Sequence, residues 1–278
     1  MHTVTVRAAG VTTFWSPHAV GLSGFNEALS RAGVPHSHQA RARTDEAALE
    51  TALMAYGKSI YKPPHVPVVS ARKNRKDGFD VFKVLKAQRN TVSVDFGACM
   101  KDGKVKYDHG LRAESWPQER LQEEFSRAKA ILPGAAVTGV LSRIAVDLHG
   151  GWLMRKTGGI YWIPTAYQES WEKVSNEIEK EGAAEVAVAV LEANASTVRA
   201  VRQRIISETK ERVEFLVEEL QAEGKKEGYY KRRVSHLDEI QRTMEGLESE
   251  LDMSLNETKL AVADAQSAAM VAMMAAQI

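Results

Sequence analysis

The sequence predicts an α+β chain: a small antiparallel sheet with helices, a helix and β-hairpin middle segment, and a long C-terminal antiparallel coiled-coil helical hairpin. Three observations lead there. Apolar residues recur at steps of three and four from Val198 toward the C-terminus, short Val- and Phe-rich runs of period two lie between His65 and Tyr107, and a Gly-rich hairpin pattern sits between helical patterns near Gly150. Division follows: a basic α+β domain over residues 1–112, a wing-like helix and hairpin segment over 113–192, and the coiled-coil hairpin over 193–278.

In the first segment a short strand at Thr3 to Ala8 precedes a helix from Ser23 to Ala32, which Gly33 and Pro35 stop. Thr44 is the N-cap of a helix from Asp45 to Tyr56, with acidic residues in its first turn where the helix dipole favours them. Lys62-Pro63-Pro64 then breaks the chain. His65 to Ala71, Phe79 to Gln88, Thr91 to Ala98 and Lys104 to Tyr107 read as strands separated by Asn74-Arg75-Lys76-Asp77-Gly78, Asn90 and Lys101-Asp102-Gly103. They predict an antiparallel meander covered on one face by the preceding helices.

In the middle segment Ser115-x-x-Gln118 with Pro117 forms a capping box for a helix to about Leu132, ended by Pro133-Gly134. A helix from Ala136 to His149 closes on Gly150-Gly151. Trp152 to Arg155 and Ile160 to Ile163 flank Lys156-Thr157-Gly158-Gly159 as a tight hairpin. Thr165-x-x-Gln168 is a second capping box, opening a helix with Tyr167, Trp171, Val174 and Ile178 on one face, and Ala184 to Leu191 is one more strand.

From Asn194 onward the repeat dominates. Val198, Val201, Ile205, Val213, Leu216 and Leu220 define a helix to about Glu223, with one eight-residue gap spanning Thr209, and Gly224-Lys225-Lys226-Glu227-Gly228 is a polar turn. Leu237, Ile240, Met244, Leu247 and Leu251 alternate steps of three and four, continued by Ser254, Thr258, Ala261, Ala265, Ala268, Ala272 and Ala275. A 3.5-residue period kept that long predicts one left-handed seam. At 1.5 Å per residue the two helices would be about 45 Å and about 70 Å long. The end of the longer one would then need cover from the N-terminal segments or from another subunit.

Charge is unevenly spread although the chain carries only +1 in total. Met1 to Arg112 holds 17 Lys or Arg against 9 Asp or Glu, and the rest holds 20 against 27, so a +8 front half is joined to a −7 back half. The single cysteine, Cys99, permits no intrachain disulfide and fits a reducing cytoplasm. No signal-peptide pattern opens the chain, and Ala268 to Ala276 is too short to span a bilayer, so the expectation is a cytoplasmic protein away from membranes.

Candidate chemistry is sparse. His36-Ser37-His38, with His65, has no accompanying ligands at metal spacing, and Cys99 has no paired histidine; a loop and a buried structural thiol are the expected roles. Asp80, Asp95 and Asp108 with Lys101 and Lys104 loosely resemble the set of a metal-dependent nuclease, the third-ranked reading, but nothing in the strand pattern makes the carboxylates converge on one ion. Neither familiar nucleotide-binding glycine loop occurs, and no cofactor, metal or catalytic residue is expected. The basic cluster Arg72, Lys73, Arg75, Lys76, Lys83, Lys86 and Arg89, with Lys101, Lys104 and Lys106, suits a phosphate backbone, and Arg155 and Lys156 at a wing tip would add to it. Against this, strand lysines also protect sheet edges, and Val137, Val140, Leu141, Ile144, Leu148, Trp152, Tyr161 and Trp162 are simplest as core.

The stretch Gly151 to Tyr167, with Gly158-Gly159-Ile160-Tyr161-Trp162-Ile163-Pro164, followed by a helix and a long repeat, resembles a family of uncharacterised phage- and plasmid-borne proteins marked by such a hairpin. The resemblance spans about half the chain and implies a mobile element's protein in a bacterial cytoplasm. It supplies no activity and no catalytic residues. The leading expectation is therefore a non-enzymatic assembly protein that oligomerises or binds protein partners through its coiled coil, with nucleic-acid binding by the basic sheet as the second reading.

Overall fold

The computed structural model of the chain describes residues 8–60, 65–71, 78–85, 92–109, 118–154, 159–192, 194–220, 227–251 and 254–275. In chain order the elements are β1 (Ala8–Pro17), β2 (Val20–Gly21), α1 (Leu22–Arg31), α2 (Asp45–Ile60), β3 (His65–Ala71), β4 (Gly78–Leu85), β5 (Val92–Lys101), β6 (Lys104–His109), α3 (Gln118–Ala130), β7 (Ile131–Leu132), α4 (Gly134–Arg143), β8 (Trp152–Leu153), β9 (Tyr161–Ile163), α5 (Gln168–Lys180), β10 (Ala184–Glu192), α6 (Ala195–Leu220), α7 (Glu227–Leu251) and α8 (Asn256–Ala275). Mixed helices and small antiparallel sheets make the fold α+β, as the sequence predicts.

Two compact units result, one made of Pro17–Val140 with Lys180–Ala183, the other of Met1–Ser16, Leu141–Glu179 and Ala184–Ile278. β1 pairs with β9, so the strand from Ala8 belongs to the unit that holds the C-terminal helices.

The unit of Pro17–Val140 is built on the meander, whose strand order is β3-β4-β5-β6. Thr44 caps α2 through Ala47 N–H to Thr44 Oγ1 at 3.2 Å. Ala48, Leu49, Ala52, Leu53 and Tyr56 then share one face of α2 and bury against Leu121, Phe125 and Ala128 of α3 and Phe79, Ala98 and Val105 of the sheet. Cover thus comes from the following helix as well as the preceding one. The β5–β6 turn places Asp102 (φ 53°) and Gly103 (φ 71°) in the left-handed region, the geometry a two-residue hairpin requires. α3 stops at Ala130, two residues before its expected end, because Ile131 and Leu132 pair with Gly21 and Val20 as a short ladder. The capping box at Ser115 lies outside the described residues.

The other unit is centred on a sheet of order β10-β1-β9-β8. Val11, Thr12 and Thr13 face Ile163, Trp162 and Tyr161, and Trp162 faces Trp152 on the far side. Alternation sends Tyr161 and Trp162 to opposite faces. Tyr161 stacks on Trp15 at 4.9 Å between ring centres, and Trp15 lies 5.8 Å from Trp171 of α5. Trp162 and Trp152 enter a core shared with α6, α7 and α8. The predicted hairpin strands pair as β8 and β9, with β9 interior between β1 and β8, and the tip at 155–158 lies outside the described residues. Thr3 to Arg7 lies outside the described residues, whereas the strand itself runs on to Pro17. The helix expected to reach His149 ends at Arg143 and passes into a π-helical turn over Ile144–Leu148. Thr165 opens a 3₁₀ turn that runs directly into α5, and Tyr167, expected on the buried face, is 42% exposed.

Gly10 is required where β1 meets β9. Its φ of 108° suits glycine, and a Cβ there would run into the Ile163 carbonyl and the Trp162 indole, whose Nε1–H donates to the Ala9 carbonyl at 2.7 Å. Gly10→Ala is expected to lower unfolding stability by about 2–4 kcal/mol through combined backbone strain and overpacking. Urea unfolding followed by tryptophan fluorescence tests this, and a wild-type midpoint would refute it.

Candidate interaction surfaces

The C-terminal helices follow from local signals. Asn194 caps α6 by accepting the Thr197 N–H on Oδ1 at 2.9 Å. Val201, Ile205, Val213 and Leu216 are buried, and Val198 is half-buried. The gap in that repeat is filled by Glu208 and Thr209, which are buried too. On α7 Leu237, Ile240 and Met244 are buried; the side chains of Leu220, Leu247 and Leu251 lie outside those described.

The second predicted helix is not one rod. α7 ends at Leu251, α8 starts at Asn256, and α8 turns back to lie against both α7 and α6. Gln266 of α8 donates to Asp238 of α7 at 2.7 Å while Lys259 meets Glu248, so the chain reverses between them. The buried face shifts as a result. Leu255, Thr258, Val262, Ala265 and Ala269 keep the three-and-four spacing, whereas Ser254 and Ala268 are exposed and Ala261 is half-buried. Ala272 and Ala275 have no described side chain.

Polar contacts fix the reversal. The Glu248 carboxylate accepts the Leu255 N–H at 2.5 Å and pairs with Lys259, and these two, Lys259 first, hold its carboxyl below the usual carboxylate range. At the other end of α7, Arg233 sets two guanidinium nitrogens 2.7 and 2.9 Å from the Glu219 oxygens and covers the Tyr229 ring at 4.6 Å. Arg204 Nε donates to the Leu153 carbonyl at 2.6 Å, tying α6 to the sheet edge.

What remains outside is unequal. Half of the described exposed positions of α6 are charged, namely Arg199, Arg202, Lys210, Glu211, Glu214 and Glu218, and Phe215 is exposed among them. Along α8 the described exposed residues from 260 to 274 include only one charge, Asp264, beside Leu260 (67% exposed), Met270 (48%), Val271 (68%) and Met274 (63%).

The basic surface is only partly visible. Lys101 and Lys104 are exposed and Lys106 half-buried, on the sheet face opposite Ala98, Met100 and Val105. Antiparallel order puts Ala71 and Gly78 at the same end of the sheet as Lys101 and Lys104. Arg72, Lys73, Arg75, Lys76, Lys86, Arg89, Arg155 and Lys156 lie outside the described residues, and Lys83 is described only as a β4 position opposite Pro67 and Ser93. Gly78 and Leu85 bound a strand about 23 Å long at 3.3 Å per residue, so the two connections at its ends are not one site.

His36 and His38 sit in a 3₁₀ turn, and among the described residues no three His, Cys, Asp or Glu are grouped to hold a metal. Cys99 is half-buried rather than enclosed. The side chains of Asp80, Asp95 and Asp108 lie outside those described. Burial pushes the Tyr107 phenol well above its usual range, with Tyr56 adding to it. His149, which the sequence did not single out, is buried with its ring edge-on to Trp171 and Tyr167 and its Nδ1 3.1 Å from the Ile144 carbonyl.

The described residues form a mixed α+β fold whose last helix carries exposed apolar side chains. The chain belongs to a family of unknown function, DUF6744, whose match spans residues 19–277. No curated protein and no solved structure matches it. Among the described residues no helix is long and apolar enough to cross a membrane.

Because the folded Glu248 carboxyl titrates below the unfolded value of about 4.3, its contribution is complete above that pH and disappears as pH falls through the folded value. Glu248→Gln should therefore be less stable than wild type at neutral pH, the gap closing below about pH 4. Parallel urea titrations across that range measure it, and a pH-independent gap would count against the Lys259 contact.

Proposed function

We propose that this chain is a non-enzymatic interaction protein that recognises protein partners, or itself, through the outer face of its C-terminal helices. One observation supports the reading above the rest: Leu260, Met270, Val271 and Met274 stay exposed although α8 has already buried a complete face against its neighbours. Association through the predicted seam is disfavoured on the same ground, since Val201, Ile205, Leu216, Leu237, Ile240 and Met244 are occupied within the chain. The setting implied by the sequence resemblance, a mobile element acting in a bacterial cytoplasm, belongs to this proposal.

A photo-reactive amino acid at Leu260 or Val271 in cells should give adducts of higher mass, whereas the same probe at exposed Arg242 on α7 should give few. No adduct at either α8 position would remove the basis of the reading.

A second reading, nucleic-acid binding, is favoured by the lysines at the β5–β6 end of the meander. Lysines on a sheet whose other face packs on helices are suited to tracking phosphates. Lys101→Glu with Lys104→Glu should weaken oligonucleotide binding at least tenfold at low salt and lower the salt slope by about 2, taking about 0.9 per lost contact. Fluorescence titration decides, and an unchanged affinity, or no binding by wild type, sets this reading aside.

A further inference from the structure

We infer that α8 exchanges between two copies of this chain: α7 and α8 straighten into one helix, and each α8 fills on the partner subunit the groove it fills here on its own α6 and α7. The inference goes beyond the interaction-surface reading and does not use it. The exchanged face is the buried one, and Leu260, Met270, Val271 and Met274 stay outward in both arrangements.

The buried residues keep one phase across the break. Tyr230, Leu237 and Met244 on α7 and Thr258 and Ala265 on α8 fall on a single seven-residue repeat, with Leu251 at the position between. Seven residues return a helix to within about 20° of its starting direction, a drift that left-handed supercoiling absorbs. One straight helix from Glu227 to Ala275, about 73 Å long, therefore carries both buried faces on the same side. The joining stretch Asp252-Met253-Ser254-Leu255 contains neither glycine nor proline, so its composition permits helix.

Register comes from contacts within the chain. Gln266 meets Asp238 and Lys259 meets Glu248, and the midpoints of these pairs in sequence are residue 252 and the step from 253 to 254. α7 and α8 thus run antiparallel about a point inside their own connection. A two-fold axis at that point, relating two straight helices, reproduces each pair between copies: Asp238 faces Gln266 of the partner subunit and Glu248 faces Lys259 of the partner subunit. The groove itself names the occupant, because α8 already fits it. Only the bonds at the bend change. The Leu255 N–H, held by Glu248 in the bent form, passes to the Leu251 carbonyl of the continuous helix.

α8 is also lightly held. Its buried face is Leu255, Thr258, Val262, Ala265 and Ala269, and the Thr258 hydroxyl finds no hydrogen-bond partner among the described residues. Small side chains and an unpaired hydroxyl lower the free energy of undocking. Docking on a second copy restores the same contacts, so protein concentration competes only with the effective concentration that the connection provides.

Cross-linking in a Cys99→Ser background tests exchange. Asp238→Cys chains and Gln266→Cys chains are mixed in urea and refolded at about 1 mM, the order of the effective concentration a short connection gives. A short bis-maleimide should then join them into a covalent dimer. Neither chain alone should link, because its two cysteines lie about 40 Å apart along the paired helices. Asn256→Pro is the locking variant. Asn256 holds the first position of α8, with the Lys259 N–H donating to the Leu255 carbonyl at 3.0 Å, so proline fits the bent form and breaks the straight one. It should keep the helical circular dichroism of the monomer and lower dimer formation about a hundredfold, the effect of a proline inside a helix. Monomer alone in sedimentation at about 1 mM, or a link that survives Asn256→Pro, would overturn the inference. A dimer in sedimentation whose mixed chains do not link also overturns it, and leaves the interaction-surface reading standing.

Discussion

The reversal of the chain between α7 and α8 governs the second unit. Glu248 accepts the Leu255 N–H and pairs with Lys259, so a carboxylate near the end of one helix organises the start of the next. That single turn decides which side of α8 meets α6 and α7. Had the helix run on, as the unbroken repeat suggests, Ala268 would lie in the core and the present outer strip would be differently placed. The apolar surface is thus a consequence of where the chain bends, more than of how apolar α8 is.

The same turn explains what was legible in the residues. A heptad spacing reports that a helix has a buried stripe but not whether its partner belongs to the same rod. Ser254, Thr258, Ala261 and Ala265 satisfy the spacing, and so do Leu255, Thr258, Val262 and Ala265; a one-residue ambiguity among small side chains was enough to misplace the face. A signal for the break was present in Ser254-Leu255-Asn256-Glu257, the S-x-x-E pattern that opens helices. The meander, by contrast, was readable from period two and from the Asp102-Gly103 turn, because strand alternation and turn chemistry are local properties. β1 was missed in most of its length since Gly10 interrupts its alternation, and its pairing with β9 is set by residues far away in sequence.

Polar residues within the helical core add a further layer. Thr209 and Thr258 are buried with hydroxyls that find no hydrogen-bond partner among the described residues, and Thr209 fills the one gap in the α6 repeat. Each such group costs stability relative to a methyl of similar size, and a polar break in an apolar seam narrows the registers that fit. This gives the gap a physical role that a count of apolar positions alone would read as a defect.

The placement of β1 bears on how the molecule is made. It is an interior strand, flanked on both sides by segments translated much later, with Val11 opposite Ile163. At bacterial or eukaryotic synthesis speeds of about 5–20 residues per second, roughly 8–30 s pass between their emergence from the ribosome. For that interval the nascent N-terminus offers Phe14 and Trp15 with two open edges, a natural substrate for holding chaperones and a point at which crowded ribosomes on one message could entangle their products.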